Sequence, residues 1–184
     1  SDAIPQKYVS VDDKIMDRHY LATFPFRDKK IKMKSGIYDG ARINLLLARL
    51  TSPAYKIRNY SELSIPYLCI ATDIANGEAY EMTRGNLQRS IRASMSIPFY
   101  FTPVEVDGRL LIDGGMRNNF PVQNLRDKGV DIIIGVDVQR NFHTKEEINS
   151  LTKILDQMIA ITDIDANKKA MEEIDIHIRP QLGS

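Results

Sequence analysis

Asp113, Gly114 and Gly115 are the residues of this chain whose types and spacing best suit chemistry. They follow an apolar run that ends at Ile112, and Pro121 comes a few positions later. A carboxylate can carry out acid–base chemistry or bind a cation, and glycines leave the main chain beside it uncovered. Asp-Gly is also ordinary turn chemistry, so the surrounding elements have to decide between a turn and a site.

Two helices and two hairpins are predicted before Asp113. Apolar residues at helical spacing predict one helix over about residues 40–50 and a second within residues 85–98. Strand-like segments flank Asn76-Gly77 and Asp107-Gly108, and such dipeptides are strong hairpin signals. The second hairpin leads directly into Asp113.

A short helix and an apolar strand are predicted after Asp113. Asn118 or Asn119 is expected to cap the helix, with Pro121 in its first turn. The β-branched run 131–138 then predicts a strand that is covered on both faces. Strand, helix and strand in this order predict a βαβ unit with a parallel pair.

The fold class that follows is α/β with a mainly parallel central sheet. Asp113 then lies at the carboxyl end of a strand, just before a helix, where ligands gather in such sheets. A long amphipathic helix, for which Thr144 and Glu147 form a capping box, is expected next. A half-exposed strand around residues 174–178 is predicted last, with its isoleucines facing inward.

Composition and charge exclude several function classes. The 184 residues are 43% hydrophobic and 27% charged, with a net charge of +1, which fits a single domain over residues 1–184. No strongly basic, aromatic-interleaved stretch exists, so nucleic acid is not an expected partner. The longest apolar stretch is far shorter than the roughly 20 residues that a membrane-spanning helix needs.

The other reactive side chains are expected to be structural. Cys69, the one cysteine, lies in an apolar run and is interpreted as a small core residue. Asp113, Asp131 and Asp137 fall near neighbouring strand ends without histidine or cysteine companions, so no metal site and no cofactor is predicted. The histidines lie in polar segments or on an outward strand face, and none is expected to be catalytic. They are His19, His143 and His177.

Several sequence blocks in a fixed order make the chain resemble the patatin-like phospholipase family. They are Ala71-Thr72-Asp73, the segment Ala93-Ser94-Met95-Ser96-Ile97-Pro98, and Asp113-Gly114-Gly115 followed by Asn119 and Pro121. The resemblance covers residues 35–138 well and the rest loosely. It implies a three-layer α/β sandwich, of which this chain is the C-terminal portion, incomplete at its N-terminal side.

The resemblance also implies an activity. Family members are acyl hydrolases that use a serine–aspartate dyad, with the serine in a Gly-x-Ser-x-Gly elbow and a glycine-rich loop as the oxyanion hole. Asp113 corresponds to the aspartate of the family's Asp-Gly-Gly motif, and Gly114 and Gly115 complete that motif. Asp113 would accept the proton of the serine hydroxyl, which is a poor nucleophile without a base.

One departure from the family pattern limits what this chain can do alone. It contains no Gly-x-Ser-x-Gly and no comparable glycine-rich loop, and Ser94 and Ser96 have no elbow glycines around them. We therefore expect part of a lipid acyl hydrolase that lacks its nucleophile and is inactive by itself. The alternative is a truncated or diverged domain that binds lipid or a protein partner and hydrolyses nothing.

A lipid or other ester is the expected substrate, while the acyl chain, the head group and the cellular location stay open. Contact with a membrane surface is a further candidate interaction. Because the resemblance implies a missing neighbour strand, residues 109–112 are expected to keep unpaired main-chain groups and to recruit a second copy through that sheet edge. The alternative is that the N-terminal residues cover the gap, with the lysine-alternating segment 30–34 as a strand.

Overall fold

The computed structural model of the chain describes residues 40–138, 142–161 and 164–181, together with the backbone of residues 26–27, 30–31 and 36–38. Strands and helices alternate in an α/β fold. The strands are β1 (Phe26–Arg27), β2 (Lys30–Ile31), β3 (Gly36–Tyr38), β4 (Cys69–Asp73), β5 (Glu78–Met82), β6 (Phe99–Phe101), β7 (Val104–Val106), β8 (Arg109–Asp113), β9 (Ile134–Val136) and β10 (Ile176–Ile178). The helices are α1 (Ala41–Thr51), α2 (Leu87–Ser94), α3 (Val122–Arg126), α4 (Leu151–Ile161) and α5 (Ile164–Glu172).

A four-stranded antiparallel sheet, in the order β5-β4-β8-β7, is the largest sheet among the described residues. The two predicted hairpins form its two halves, and both predictions are confirmed. Gly77 and Gly108 have positive φ angles of 73° and 74°, which is the backbone conformation that these turns need. Strands β4 and β8 join the hairpins, with Ala71 opposite Asp113 in the register.

Helix α2 covers one face of this sheet, and α1 packs against α2. Both helices are where the sequence predicted them. The core between α2 and the sheet is small and tightly buried, and burial of apolar area of this kind is worth about 25 cal/mol per Å². Its members are Cys69, Ala71, Met82, Ala93 and Leu111. Cys69 is thus the core residue that was predicted, and burial raises the pKa of its thiol to about 11.

The predicted βαβ unit is wrong. Strand β8 pairs with β4 and β7, both antiparallel, while β9 pairs in parallel with β10. The tight Asp107-Gly108 turn sets β7 beside β8 before any later strand can reach that position. Among the described strands, only β3 with β6 and β9 with β10 pair in parallel. A mainly parallel central sheet is therefore not found in that part of the chain.

The expected unpaired segment 109–112 is also wrong. Its residues are hydrogen-bonded to β7 on one side and, towards Asp113, to β4 on the other. Leu111 and Ile112 are buried. On β9, Ile134 and Val136 are more than half exposed and only the alternate positions are covered, so the prediction that this strand is covered on both faces is wrong.

Helix ends differ from the predictions in two places. Helix α3 begins after Pro121 with no side-chain cap, because Asn118 instead donates its amide hydrogen to Asn124 Oδ1 at 2.8 Å. The Thr144 N–H does donate to Glu147 Oε2 at 2.8 Å, but this bond closes a turn ahead of α4 rather than the first turn of a helix. The predicted long helix is present as α4, and the helix α5 that follows was not predicted.

The last strand, β10, is exposed at all three of its positions, so the predicted inward face is wrong for Ile176 and Ile178, while Ile174 is half-buried and lies against Gly135. Three parts of the predictions lie outside the described residues. They are Thr162 of the predicted long helix, residues 32–34 of the lysine-alternating segment, and His19. None of the helices described is long and apolar enough to cross a membrane.

Candidate functional site

Asp113 is the last residue of β8, and a 3-10 turn, Gly114–Met116, begins immediately after it. The Gly115 N–H donates a hydrogen bond of 2.8 Å to Asp113 Oδ1. The carboxylate therefore caps the turn that follows it, which fixes one of its oxygens towards Gly115. The prediction that Asp113 ends a strand is confirmed, although the sheet around it is antiparallel.

The main chain of Asp113 is held from both sides. Its carbonyl oxygen accepts a hydrogen bond of 2.9 Å from Thr72 Oγ1, and Thr72 is buried on β4. Its N–H donates to the Ser96 carbonyl oxygen at 3.0 Å, just beyond helix α2. The position of the carboxylate is thus set by two elements that flank β8.

The two glycines leave space that no other residue would leave. A Cβ on Gly114 would lie 2.2 Å from the Ile70 carbonyl oxygen of β4, so the turn packs directly on that main chain. A Cβ on Gly115 would lie 2.7 Å from Asn119 Oδ1 and 2.9 Å from Asp113 Oδ1. The Gly114 contact is with main chain, so glycine is needed at that position, whereas a Cβ on Gly115 would press on two side-chain oxygens at the Asp113 carboxylate.

The Asp113 carboxyl has an unusual electrostatic environment. Burial raises its pKa above the ordinary value of an aspartate, and the Gly115 N–H opposes that rise in part. No cation lies within ion-pair distance of it among the residues that the structure describes. A half-buried carboxylate without a cation is more basic than a surface aspartate, so it is better suited to accept a proton.

An apolar cavity of about 250 Å³ opens beside this loop. It is lined by residues 119–122 and Leu125 and, around strand β9, by residues 133–136 and Val138. Asn119 belongs to both features, since its Oδ1 approaches Gly115 next to the carboxylate. The cavity therefore adjoins the loop at Asn119, and most of its other lining residues are apolar, a combination that suits a ligand with a polar end and an apolar chain.

The other candidate residues do not join this site. The Ser94 hydroxyl donates to the Ile70 carbonyl oxygen at 2.6 Å, and Ser96 is fully buried. Asp137 is buried beside His177 and Arg179, at 4.0 Å and 3.6 Å. Within the described ranges no three His, Cys, Asp or Glu side chains group closely enough to hold a metal ion.

Sequence reasoning missed the two hydrogen-bonding partners of the Asp113 main chain. Thr72 and Ser96 both lie in the blocks that carry the family resemblance, but no spacing rule predicts a bond between residues so far apart in the chain. Antiparallel pairing of β4 with β8 brings Thr72 to Asp113, and this pairing was not predicted. The one signal in the sequence was that Thr72 and Ser96 lie in the same set of family blocks as Asp113.

Comparison with known proteins gives a family match and several related sequences. Residues 2–126 match the family described as Patatin-like phospholipase, a range that includes Asp113, Gly114 and Gly115. Patatin-like phospholipase domain-containing protein 7 of Mus musculus is 35% identical over 106 residues, which are 56% of this chain and 8% of that protein.

Two further relatives are similar over shorter stretches. An uncharacterized NTE family protein of Mycobacterium bovis is 42% identical over 77 residues, 42% of this chain and 21% of that protein. Lysophospholipase NTE1 of Meyerozyma guilliermondii is 37% identical over 87 residues, 46% of this chain and 6% of that protein. The matched segments thus span less than a quarter of the length of these three relatives.

Proposed function

The chain belongs to the patatin-like phospholipase family, and we propose that it is the aspartate-bearing part of a lipid acyl hydrolase in which Asp113 is the general base. The observation that carries this proposal is the Asp113 carboxylate, which is half-buried, has a raised pKa and is oriented by Gly115. A serine hydroxyl supplied by another segment of the three-layer domain would transfer its proton to Asp113 as it attacks the ester carbonyl. The proton would then pass to the leaving alkoxide.

A lipid ester is the substrate class that fits best. The apolar cavity beginning at Asn119 has a volume of about 250 Å³ and would accept part of an acyl chain while the ester group stays near Asp113. The lysophospholipase relative is named for an activity of the same class. Peripheral contact with a membrane would follow from this substrate, since long-chain lipids reside there.

The test is Asp113→Asn in the intact protein that contains this chain and a Gly-x-Ser-x-Gly elbow. Asparagine keeps the shape and can still accept the Gly115 N–H, but it cannot take a proton, so kcat should fall about 10²–10⁴-fold. Asp131→Asn, at an exposed carboxylate away from the loop, is the matched control and should keep wild-type rates. Wild-type turnover in a folded Asp113→Asn protein would make Asp113 a turn residue only.

The 184-residue chain alone should not hydrolyse esters. It lacks an elbow serine and the glycine-rich loop, and each positioned oxyanion donor is worth about 2.7–4 kcal/mol in acyl transfer. Turnover of p-nitrophenyl esters by the pure chain, compared with a heat-inactivated sample, measures this. Turnover that a serine-directed inhibitor abolishes would overturn the assignment of a missing nucleophile.

A non-catalytic domain that binds lipid or a partner is the second candidate, and the exposed apolar surface favours it. Leu45 and Leu50 on α1 are 74% and 65% exposed. We propose that the isolated chain self-associates through such surfaces, because covering them removes apolar area from water. Sedimentation over a dilution series should show mass rising with concentration, and Leu45→Lys with Leu50→Lys should reduce that rise. A monomer at all concentrations would contradict self-association.

A further inference from the structure

Ser96 connects the end of helix α2 to the strand that carries Asp113. Its carbonyl oxygen accepts the Asp113 N–H at 3.0 Å, and its own N–H donates to the Ala93 carbonyl oxygen at 3.0 Å. Ser96 is 0% exposed. The main chain of Asp113 is therefore attached to a fixed point just beyond the end of α2, in addition to its bond with Thr72.

The Ser96 side chain is itself bound by Arg92, one turn earlier. Arg92 Nη1 donates to Ser96 Oγ at 2.6 Å, and Ser96 Oγ donates to the Arg92 carbonyl oxygen at 2.7 Å. The Arg92 guanidinium lies 4.7 Å from the centroid of the Phe101 ring and is only 3% exposed as a residue. Two hydrogen bonds, both through Ser96 Oγ, thus join Arg92 and Ser96 at the end of α2.

Gly40 makes room for that guanidinium. A Cβ at Gly40 would lie 2.8 Å from Arg92 Nη2 and 2.9 Å from Arg92 Nε, and the φ angle of Gly40 is +75°. Space and backbone both require glycine at the residue that precedes α1. The start of α1 and the end of α2 are therefore shaped around one buried arginine.

Burying an arginine between two helices costs free energy of desolvation. Apolar residues of similar size often pack as well or better. One directional bond of Arg92 is to Ser96, whose carbonyl oxygen holds Asp113. An apolar side chain would fill the same volume but would leave the Ser96 hydroxyl, and with it that carbonyl, less firmly oriented.

We propose that Arg92 and Ser96 are positioning residues for Asp113, with Arg92 fixing Ser96 and the Ser96 carbonyl fixing the main chain of the base. This inference rests on the proposed function of Asp113. Thr72 holds the carbonyl side of Asp113 and Ser96 holds the N–H side, so the carboxylate reaches the reacting hydroxyl from one defined position. Neither Arg92 nor Ser96 touches the substrate in this proposal.

The experiment uses the intact protein and two readouts on the same samples. One readout is hydrogen exchange of the Asp113 amide, and the other is the pH dependence of kcat and KM for a lipid ester. The variants are Arg92→Met, Arg92→Lys and Ser96→Ala. Arg89→Met, at an exposed arginine on the same helix, is the matched control. Ser96→Ala removes one oxygen atom only, so it carries the test even if Arg92→Met fails to fold.

Arg92→Met and Ser96→Ala are expected to speed exchange of the Asp113 amide about tenfold or more. They should lower kcat about 10–100-fold, since a displacement of about 1 Å at a reacting group costs up to 10²-fold, and leave KM within about twofold. The acidic limb of the pH–rate profile should move to higher pH, because a looser loop weakens the Gly115 bond that opposes the raised pKa of Asp113. Arg92→Lys keeps one donor and should recover part of the loss.

Unchanged amide exchange in folded Ser96→Ala, or kinetics no different from those of Arg89→Met, would overturn the positioning role. Equal losses in kcat for Arg92→Lys and Arg92→Met, with no shift of the pH–rate profile, would also overturn it. An intact protein with no ester hydrolysis at all would instead defeat the proposed function. The exchange readout would still decide whether Arg92 and Ser96 hold the Asp113 main chain.

Discussion

Gly114→Ala should destabilise the fold strongly, even though the backbone of Gly114 is not in the positive-φ region. The new Cβ would lie 2.2 Å from the Ile70 carbonyl oxygen and 2.7 Å from its carbonyl carbon, where ordinary contact begins at 3.4 Å. The two segments would have to separate by more than an ångström. Any cost therefore comes from packing and not from conformational strain.

The magnitude follows from what the methyl group meets. Ile70 is buried in the central strand β4, and its carbonyl oxygen also accepts the Ser94 hydroxyl, so it has no free direction in which to move. Overpacking a well-packed interior costs about 1–3 kcal/mol, occasionally more, and we expect a value near 3 kcal/mol here. For a chain of this size that corresponds to a fall in Tm of about 6–12 °C.

Gly108→Ala is the matched control, because it tests the opposite mechanism. Gly108 has a φ of +74° and nothing within 4 Å of the new Cβ, so its cost is conformational, about 1–2 kcal/mol. Thermal and urea unfolding of both variants, followed by circular dichroism at matched concentrations, gives the comparison. A Gly114→Ala protein as stable as Gly108→Ala would refute the contact between the Asp-Gly-Gly turn and β4.

Three further outcomes are expected. Gly115→Ala should lower the activity of the intact protein about 10–100-fold with little change in Tm. Its Cβ meets the side-chain oxygens of Asn119 and Asp113, which can rotate away, and does not meet main chain. Unchanged turnover would contradict this prediction. Asp113→Asn should be more stable than wild type at pH 7 in urea unfolding. The folded-state pKa of Asp113 is raised, so wild type loses stability as pH rises through it, and the two proteins should converge below the ordinary aspartate pKa of about 3.9. Cys69, buried and with a pKa of about 11, should react with a thiol reagent at pH 8 far more slowly in the folded chain than in urea.

Local signals predicted the local structure well. Helical spacing located α1 and α2, and Asn76-Gly77 and Asp107-Gly108 located both hairpins, because each depends only on neighbouring residues. The prediction of strand pairing was wrong, because a strand–helix–strand pattern in the sequence does not show which strand already occupies the position next to β8. The hairpin partner β7 and strand β4 take both sides of β8, and β9 pairs with β10 instead.

The candidate site was predicted as a motif but not as a geometry. Asp113, Gly114 and Gly115 could be named from the sequence, whereas the close approach of Gly114 to Ile70 could not, because it depends on the β4–β8 register. Arg92 was not singled out from the sequence. Its burial arises from Gly40, a residue more than fifty positions away, and no periodicity in α2 reports that contact.

Two aspartates of the same sheet show why Asp113 is the better candidate for chemistry. Asp73, at the end of β4, is buried, pairs with Arg109 Nη1 at 3.0 Å and accepts the Ala75 N–H at 3.0 Å. The Arg109 guanidinium and the Ala75 N–H thus satisfy the Asp73 carboxylate at the first hairpin. Asp113 ends the neighbouring strand with the Gly115 N–H bound to one of its carboxylate oxygens and with no cation within ion-pair distance among the described residues, and burial raises its pKa. Its raised pKa gives the Asp113 carboxylate a higher affinity for a proton than a surface aspartate has, and this is the physical reason to propose Asp113, rather than the ion-paired Asp73, as the base.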